Sequence, residues 1–512
     1  MIEFSSPLHS SARAREGSFL VKSGINPYER SYIRMNPSII LLFQILPVGG
    51  DADFLIGFFF SILSYFIFTF ITKHIFSSIK RKTANTKLSI LQELMQRHGA
   101  KIANLAYLFN PYTIVSSATK CTYFINSTVI FSSILAALKG KELLALILSG
   151  IATSLDPYLF MLFAPITLTA HVYARRHKKR EQNKKNNVKN KKIKGIVINL
   201  ARAAIISYTS CIIFTSASLL LINYTIQNNR QYNSEYIDQS NPNEQSQYKQ
   251  QFIDSYISLA LSYIHSMLYG IGADVRPSPS HLWYLRSLQS QKAADSPSAD
   301  GRKSLSLDVE KLSVIVNGSI NQQNIQSLRP SFQISSLFTG NLLTRIACYY
   351  VPLSLMIPLL IKYYTRPICF IYTYLNIIEF FSPSATYSDY SIIIALFFAL
   401  TGAGIAEGKE KEEVRLDEDD NEKQQKLNKK YTKHSNIYRS STPRYALYSP
   451  YSYIFVTILF FIILFILMMH TFSFRIMVLD FNMGNVNIEF LLHNTVVAFV
   501  RILVMGIVTS ST

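Results

Sequence analysis

Apolar residues along this chain gather into runs of helical length, broken by short polar or proline-bearing corners, rather than alternating with polar ones. Runs approaching ~20 residues cross a bilayer as helices, whereas barrel strands alternate with period two. The pattern predicts spans at 54–75, 102–117, 123–138, 143–155, 158–173, 196–222, 337–361, 367–381, 392–404, 451–470 and 488–507. The expected fold class is therefore all-α, a polytopic membrane helical bundle with eleven spans. Several runs are short for a full bilayer, and Pro111 and Pro165 interrupt two of them. Short, broken helices need other backbone partners and line protein or a cavity rather than lipid.

The polar connectors orient the bundle. Between Lys73 and Lys101 there are seven Lys/Arg and one acid, Glu93. Arg175 to Lys194 holds eleven Lys/Arg and one acid, Glu181. Basic loops stay cytoplasmic, and the two runs fall independently on the same side. Residues 1–53 then face the opposite, luminal side, and no apolar run long enough for a signal peptide or an earlier span precedes Phe54. The expected organisation is a luminal N-terminal loop (1–53), the first half of the bundle (54–226), luminal polar inserts with an interfacial helix (227–333), more bundle (334–404), a charged cytoplasmic linker (405–450) and the last two spans (451–512). Within the inserts, 227–251 is Asn/Gln-rich and reads as nearly structureless. Residues 252–268 are apolar but dotted with Asp254, Ser255, Ser258, Ser262 and His265, and read as a helix lying along the membrane surface.

Composition sharpens this picture. The chain is 49% hydrophobic and only 16% charged, against about a quarter charged for a soluble protein. Its net charge of +20 sits in loops between apolar runs, which the topology rule explains without nucleic acid. Cys121, Cys211, Cys348 and Cys369 are far apart and lie in or beside apolar runs. They read as small buried residues, with no zinc-type spacing. No cofactor fingerprint is present.

Candidate chemistry is sparse. Asn126, Asn223 and Asn317 each begin a glycosylation tripeptide. Asn126 is too close to its span to be reached, whereas Asn223 and Asn317 fall in expected luminal loops and are candidate acceptors. Asp51 and Asp53 form an acid pair at the luminal start of the first span, suited to the base of a glycosyl transfer; the same pair also suits a polar helix end. No Ser/His/Asp or Cys/His set stands on the luminal side. A transporter would call for charges within the spans, and these are nearly uncharged.

Four stretches carry a resemblance. The central one runs Tyr107-Leu-Phe-Asn110-Pro111-Tyr112-Thr113-Ile114, then Ala118-Thr-Lys120, Ile125-Asn126-Ser-Thr128, Lys139-Gly140 and Ala152-Thr153 before Pro157. The others are Gly24-Ile-Asn-Pro27-Tyr28 with Pro37, Pro277 to Tyr284, and Asn485-Val-Asn487. In this order they resemble the U subunit family of glycosylphosphatidylinositol (GPI) transamidase, phosphatidylinositol glycan class U. The resemblance implies a multi-pass endoplasmic-reticulum membrane protein of about twelve spans, one more than counted here. It implies a fold related to the lipid-dependent GT-C glycosyltransferases. It also implies a non-catalytic subunit that helps bind GPI, with the Cys/His machinery in a caspase-like partner subunit. The runner-up is a dolichyl-phosphate-mannose-dependent mannosyltransferase of GPI biosynthesis, for which Asp51 and Asp53 would matter.

By the same resemblance, Asn485, Asn487, Trp283 and Tyr284 are the expected GPI- or lipid-binding residues. Asn offers two donors and an acceptor without charge, so a pair can hold phosphate and sugar hydroxyls at a membrane face. At i and i+2 the two face the same way on an extended segment; beside Gly484 they also suit a turn. Arg286 departs from the family's more apolar and acidic segment. The family's first span is missing, and the inserts at 227–251, 287–333 and 407–444 are expanded.

Overall fold

A computed structural model describes residues 9–29, 33–45, 50–80, 90–118, 121–182, 194–233, 242–269, 350–364, 366–382 and 387–407. Among these residues the chain is helical, with no strand. In chain order the helices are α1 (Ser11–Lys22), α2 (Pro37–Ile45), α3 (Gly50–Lys80), α4 (Ile90–Leu108), α5 (Pro111–Ala118), α6 (Tyr123–Leu138) and α7 (Glu142–Leu155). A 3-10 turn (Pro157–Met161) leads into α8 (Phe163–Gln182), followed by α9 (Lys194–Asn233), α10 (Pro242–Tyr269), α11 (Val351–Lys362), α12 (Pro367–Phe381) and α13 (Tyr387–Glu407). Two helical stretches, Leu55–Ile79 and Leu200–Asn229, are long and apolar enough to cross a membrane. Six shorter apolar helices accompany them, among them α6, α7 and α12.

One local device recurs at three helix starts and at the turn after α1. Asn26, Asn36, Asn110 and Asp156 each precede a proline. In each, the side-chain oxygen accepts a hydrogen bond from the backbone N–H two residues on: Tyr28 at 2.9 Å, Ser38 at 2.9 Å, Tyr112 at 3.0 Å and Tyr158 at 3.0 Å. The proline suits the first helical position because it has no N–H to leave unpaired and its φ is already helical. The acceptor satisfies one of the orphan donors behind it. These corners cut the predicted 102–117 run into α4 and α5 at Asn110, and start the 158–173 run as a 3-10 turn before α8.

The main core is shared by α3, α4, α6, α8, α12 and α13. Phe68, Tyr107 and Phe131 meet edge to face or tilted at its centre. Polar crossings hold the register: Ser64 Oγ with Tyr107 Oη at 2.7 Å, Thr72 Oγ1 donating to Asn104 Oδ1 at 2.9 Å, and Ser133 Oγ donating to the Ala145 carbonyl at 2.8 Å. A second core joins α1, α2 and the start of α3 to α9 and α10.

Helix direction gives the main bundle two chemically distinct ends. At one end the Lys139–Lys141 corner, with Gly140 in the left-handed region (φ 71°), packs on Ala174, and His74 meets Tyr173. Lys73, Lys139, Lys141 and Arg175 each adjoin one of these contacting residues in sequence. At the other end lie His9, the Cys121 corner, Asp156, Glu379 and Asp389. The stretch of α3 between Leu55 and Lys73 rises about 27 Å at 1.5 Å per residue, close to the ~30 Å of a bilayer hydrocarbon core.

One expectation for 227–268 is corrected. The stretch read as structureless from 227 is helical through Asn233 and again from Pro242, so α9 runs unbroken past the boundary expected at 226. Its packing explains this, because Ile226 is buried in the second core and Asn229 Nδ2 donates to the Val21 carbonyl at 3.2 Å. Residues 252–268, expected to be helical, are so, and they run back along α9. Asn223 meets Phe252 and Ser255 at one end, and Cys211 is in electrostatic range of Tyr263 at the other.

Candidate functional site

The acidic end is built from the Asx-Pro corners and the residues they bring together. The 3-10 turn after α7 is capped by Asp156, whose other oxygen lies 4.0 Å from His9 Nε2. Both side chains are buried. The His9 ring packs edge-on against Tyr123 with centroids 5.0 Å apart. The His9 carbonyl accepts from the Thr122 N–H at 2.9 Å and from Cys121 Sγ at 3.5 Å. The segment before α1 is thereby tied to the start of α6 by backbone as well as by side chain. Buried backbone groups need such partners.

Tyr123 is the hub. Asp389, Glu379, Asp156 and Cys121 all lie in electrostatic range of its hydroxyl. Glu379 comes from the last turn of α12 and Asp389 from the first turn of α13. Three carboxyl groups from three corners thus lie within electrostatic range of one hydroxyl, each less than a tenth exposed. Tyr112 stacks on Tyr390 at 5.6 Å and joins α5 to the same place. The Nδ1 of His9, the Nδ2 of Asn110, the hydroxyls of Thr113 and Thr122, and both amide atoms of Asn126 are buried without a partner. Such groups are costly in an apolar interior and mark positions where polar chemistry is retained. Among the described residues no group of three or more His, Cys, Asp or Glu side chains is arranged to hold a metal ion. Cys121 donates to a backbone carbonyl rather than to an imidazole.

A second polar junction sits beside the first. Asn36 Nδ2 donates to the Ser154 carbonyl at 2.5 Å, and its Oδ1 accepts from the Ser38 hydroxyl at 2.6 Å. Tyr263 also hydrogen-bonds to Asn36. Tyr28 donates to the Met35 carbonyl at 3.1 Å and packs edge-on against Tyr263. Burial, with Tyr263 alongside, pushes the Tyr28 hydroxyl well above the usual tyrosine range.

Of the residues named from sequence, Asn485, Asn487, Trp283, Tyr284 and Asn317 lie outside the described residues. Asn223 was expected in a luminal loop as a glycan acceptor. It is instead inside α9 and fully buried. Its amide nitrogen donates to the Phe252 carbonyl at 3.2 Å and its oxygen accepts from Ser255 at 2.8 Å, so the atom a glycan would join is already a helix–helix contact. Asp51 and Asp53 occupy the first turn of α3. Glu379 and His9 were not singled out from the sequence. A usable signal existed, since the turn at Pro383–Asp389 is expected on the same side as Asp156-Pro157 and residues 1–53.

Comparison with known proteins bears on the first half of the chain. The family described as GPI transamidase subunit PIG-U matches residues 1–243. The chain is similar to the GPI-anchor transamidase component PIGU of Mus musculus, 32% identical over 170 residues, covering 32% of this chain and 39% of that protein. It is 31% identical over 171 residues to the same-named protein of Cricetulus griseus and 30% identical over 171 residues to that of Homo sapiens, with the same coverage. The chain thus matches about two fifths of the length of these relatives. The matched region contains three of the corners just described, Asn26-Pro27, Asn36-Pro37 and Asn110-Pro111, and the Asp156-Pro157 corner as well. Over residues 1–243 the chain is thus similar to the family of the GPI transamidase subunit PIG-U.

Proposed function

We propose that this protein is an accessory, non-catalytic subunit of a GPI transamidase, which helps bind and present the GPI lipid for attachment to protein C-termini. The single observation that carries this is the family match over residues 1–243, joined by three relatives that bear the transamidase-component name. In this reading the chain is a multi-pass protein of the endoplasmic reticulum with eleven spans and a GT-C-related bundle. Its acidic end faces the lumen and its basic end the cytoplasm. The segregation of Lys73, Lys139, Lys141 and Arg175 from Asp156, Glu379 and Asp389 supports that orientation. The thiol chemistry belongs to a caspase-like partner subunit. GPI contacts fall to Asn485 and Asn487, with Trp283 and Tyr284 at the acyl chains.

Co-purification in mild detergent tests the assignment. A caspase-like protein should be recovered with the full chain, and its consistent absence would overturn the subunit reading. Asn485→Ala combined with Asn487→Ala should lower GPI attachment in cells while leaving co-purification unchanged. Normal attachment by that double variant would remove the two asparagines from the site.

A further inference from the structure

Two exposed stripes, one on α3 and one on α4, end in lysine at the same level. On α3, Phe66, Phe70 and Lys73 are spaced i, i+4, i+7 and all are exposed. On α4, Lys101, Leu105 and Leu108 repeat that spacing in reverse order and are exposed too. Residues so spaced share one face of a helix. The two helices run antiparallel and in contact. Ser64 meets Tyr107, Thr72 meets Asn104, and the Phe76 ring occupies the space of a Gly99 Cβ. Lys73 is one residue beyond Thr72 and Lys101 three before Asn104, so at 1.5 Å per residue the lysines lie within about 3 Å of one level. That level is the basic edge of the stretch of α3 that matches a bilayer's hydrocarbon thickness. Beyond it the exposed face of α4 carries Arg97, His98 and Glu93, with Leu94 and Ile90 interspersed.

Rotation puts both stripes on one side of the pair. At 100° per residue Lys73 lies about 100° on from Thr72, and Lys101 about 60° on from Asn104 in the same sense. Antiparallel helices turn in opposite senses when viewed from one end, and Thr72 and Asn104 face each other, so both steps lead to the same side. The opposite side is closed. There Phe68 and the Phe60 carbonyl of α3 meet Phe131 and Thr128 of α6, and Gly402 of α13 lies against Phe76 and Met95. Axes of packed helices are about 8–10 Å apart, so the open side is a groove, aromatic and aliphatic down to Phe70 and Leu105 and cationic at its end. Lys73 Nζ leans back over the Phe70 ring, 6.0 Å from its centroid. Among the described residues neither Lys73 nor Lys101 is ion-paired, whereas Arg97 is held by Glu93.

We propose that this groove seats an anionic phospholipid of the cytoplasmic leaflet, its phosphate between Lys73 and Lys101 and its acyl chains along Phe66, Phe70, Leu105 and Leu108. Charge complementarity selects the occupant. Two unpaired ammonium groups at the membrane edge attract a headgroup of net negative charge, and a zwitterionic lipid brings an ammonium of its own. A protein helix in the groove would have to bury both cations. Lysine stems lie along apolar surface while their heads reach the phosphate layer. The inference rests on the multi-pass reading above, with the basic end in the cytoplasm.

Native mass spectrometry of the full chain in detergent, titrated with dioleoylphosphatidylserine or dioleoylphosphatidylcholine, tests it. Phosphatidylserine should bind severalfold tighter than phosphatidylcholine. Lys73→Gln or Lys101→Gln should each weaken the tightest phosphatidylserine adduct about fivefold, and the pair about twenty-fivefold. Lys73→Arg with Lys101→Arg should keep it. Lys139→Gln with Lys141→Gln, at the same end but outside the groove, should leave it unchanged. An equal loss with that control, or none with the double Gln variant, overturns the groove. Equal binding of the two lipids overturns the choice of an anionic occupant. Orientation is read separately from Ser77→Cys, exposed one turn beyond Lys73, in a chain whose four native cysteines are replaced by serine. A membrane-impermeant maleimide should label it in sealed microsomes whose cytoplasmic face is outward. Labelling only after permeabilisation overturns the orientation, and with it the cytoplasmic leaflet, whatever the mass spectra show.

Discussion

Gly150 provides the sharpest test of the bundle. It lies on α7 where that helix crosses α9, and a Cβ built there would sit 2.2 Å from the Ser207 carbonyl oxygen and 2.9 Å from Ser210 Cβ. The first obstacle is backbone, so no side-chain rotation relieves it. Ordinary contact begins near 3.4 Å, so Gly150→Ala forces α7 and α9 apart by about 1 Å locally. A gap of that size forfeits roughly a quarter to a half of the dispersion energy of each contact it opens. Overpacking of this kind costs about 1–3 kcal/mol, at times more. Alanine's better helix propensity returns about 1 kcal/mol. The net expectation is a loss of about 1 kcal/mol, read as a fall of a few degrees in the apparent melting point of detergent-solubilised protein followed by size-exclusion chromatography. Gly402→Ala is the control, since its Cβ meets side chains rather than backbone, the Phe76 ring at 3.2 Å and Met95 Sδ at 4.0 Å, and these can shift. It should be near neutral. A Gly150→Ala protein as stable as the parent, or more so, would refute the close α7–α9 crossing.

Three further outcomes are expected. Because the folded protein holds the Tyr28 hydroxyl well above the unfolded value of 10.0, the neutral form is favoured on folding. Its contribution is complete below about pH 10 and is lost as pH rises beyond it; Tyr28→Phe should flatten this alkaline loss while costing about 1 kcal/mol for the bond to Met35. Asn223 should carry no glycan, so endoglycosidase should leave the mass of its peptide unchanged, and Asn223→Ala should destabilise the protein by about 1–3 kcal/mol through the groups it leaves unpaired. Asp156→Ala should cost about 1 kcal/mol as a lost cap and also increase proteolysis near His9, whereas Asp156→Asn, which keeps the cap acceptor, should restore the stability.

The amino-acid sequence by itself determined much of this protein. Long apolar runs dictate helices, and α6, α7 and α12 lie within a residue or so of their predicted limits. Prolines and asparagines dictate corners through purely local hydrogen bonds, so the Asx-Pro device is legible wherever it occurs. Basic clusters dictate which corners share an end, and the family pattern was readable in the central block. The tertiary structure alone decided what depends on residues far apart in the chain. Asp156 meets His9, and Glu379 and Asp389 join them at Tyr123, because helix packing closes loops of more than a hundred residues that no local pattern records. The same holds for Asn223. Its tripeptide reads as an exposed acceptor, yet α10 folds back over it and both ends of its amide are taken. Residues 227–233 are polar in composition but helical in fact, because Ile226 and Asn229 find partners on the second core and on Val21. Composition sets what a segment prefers in isolation, and long-range packing decides which face it shows and to what.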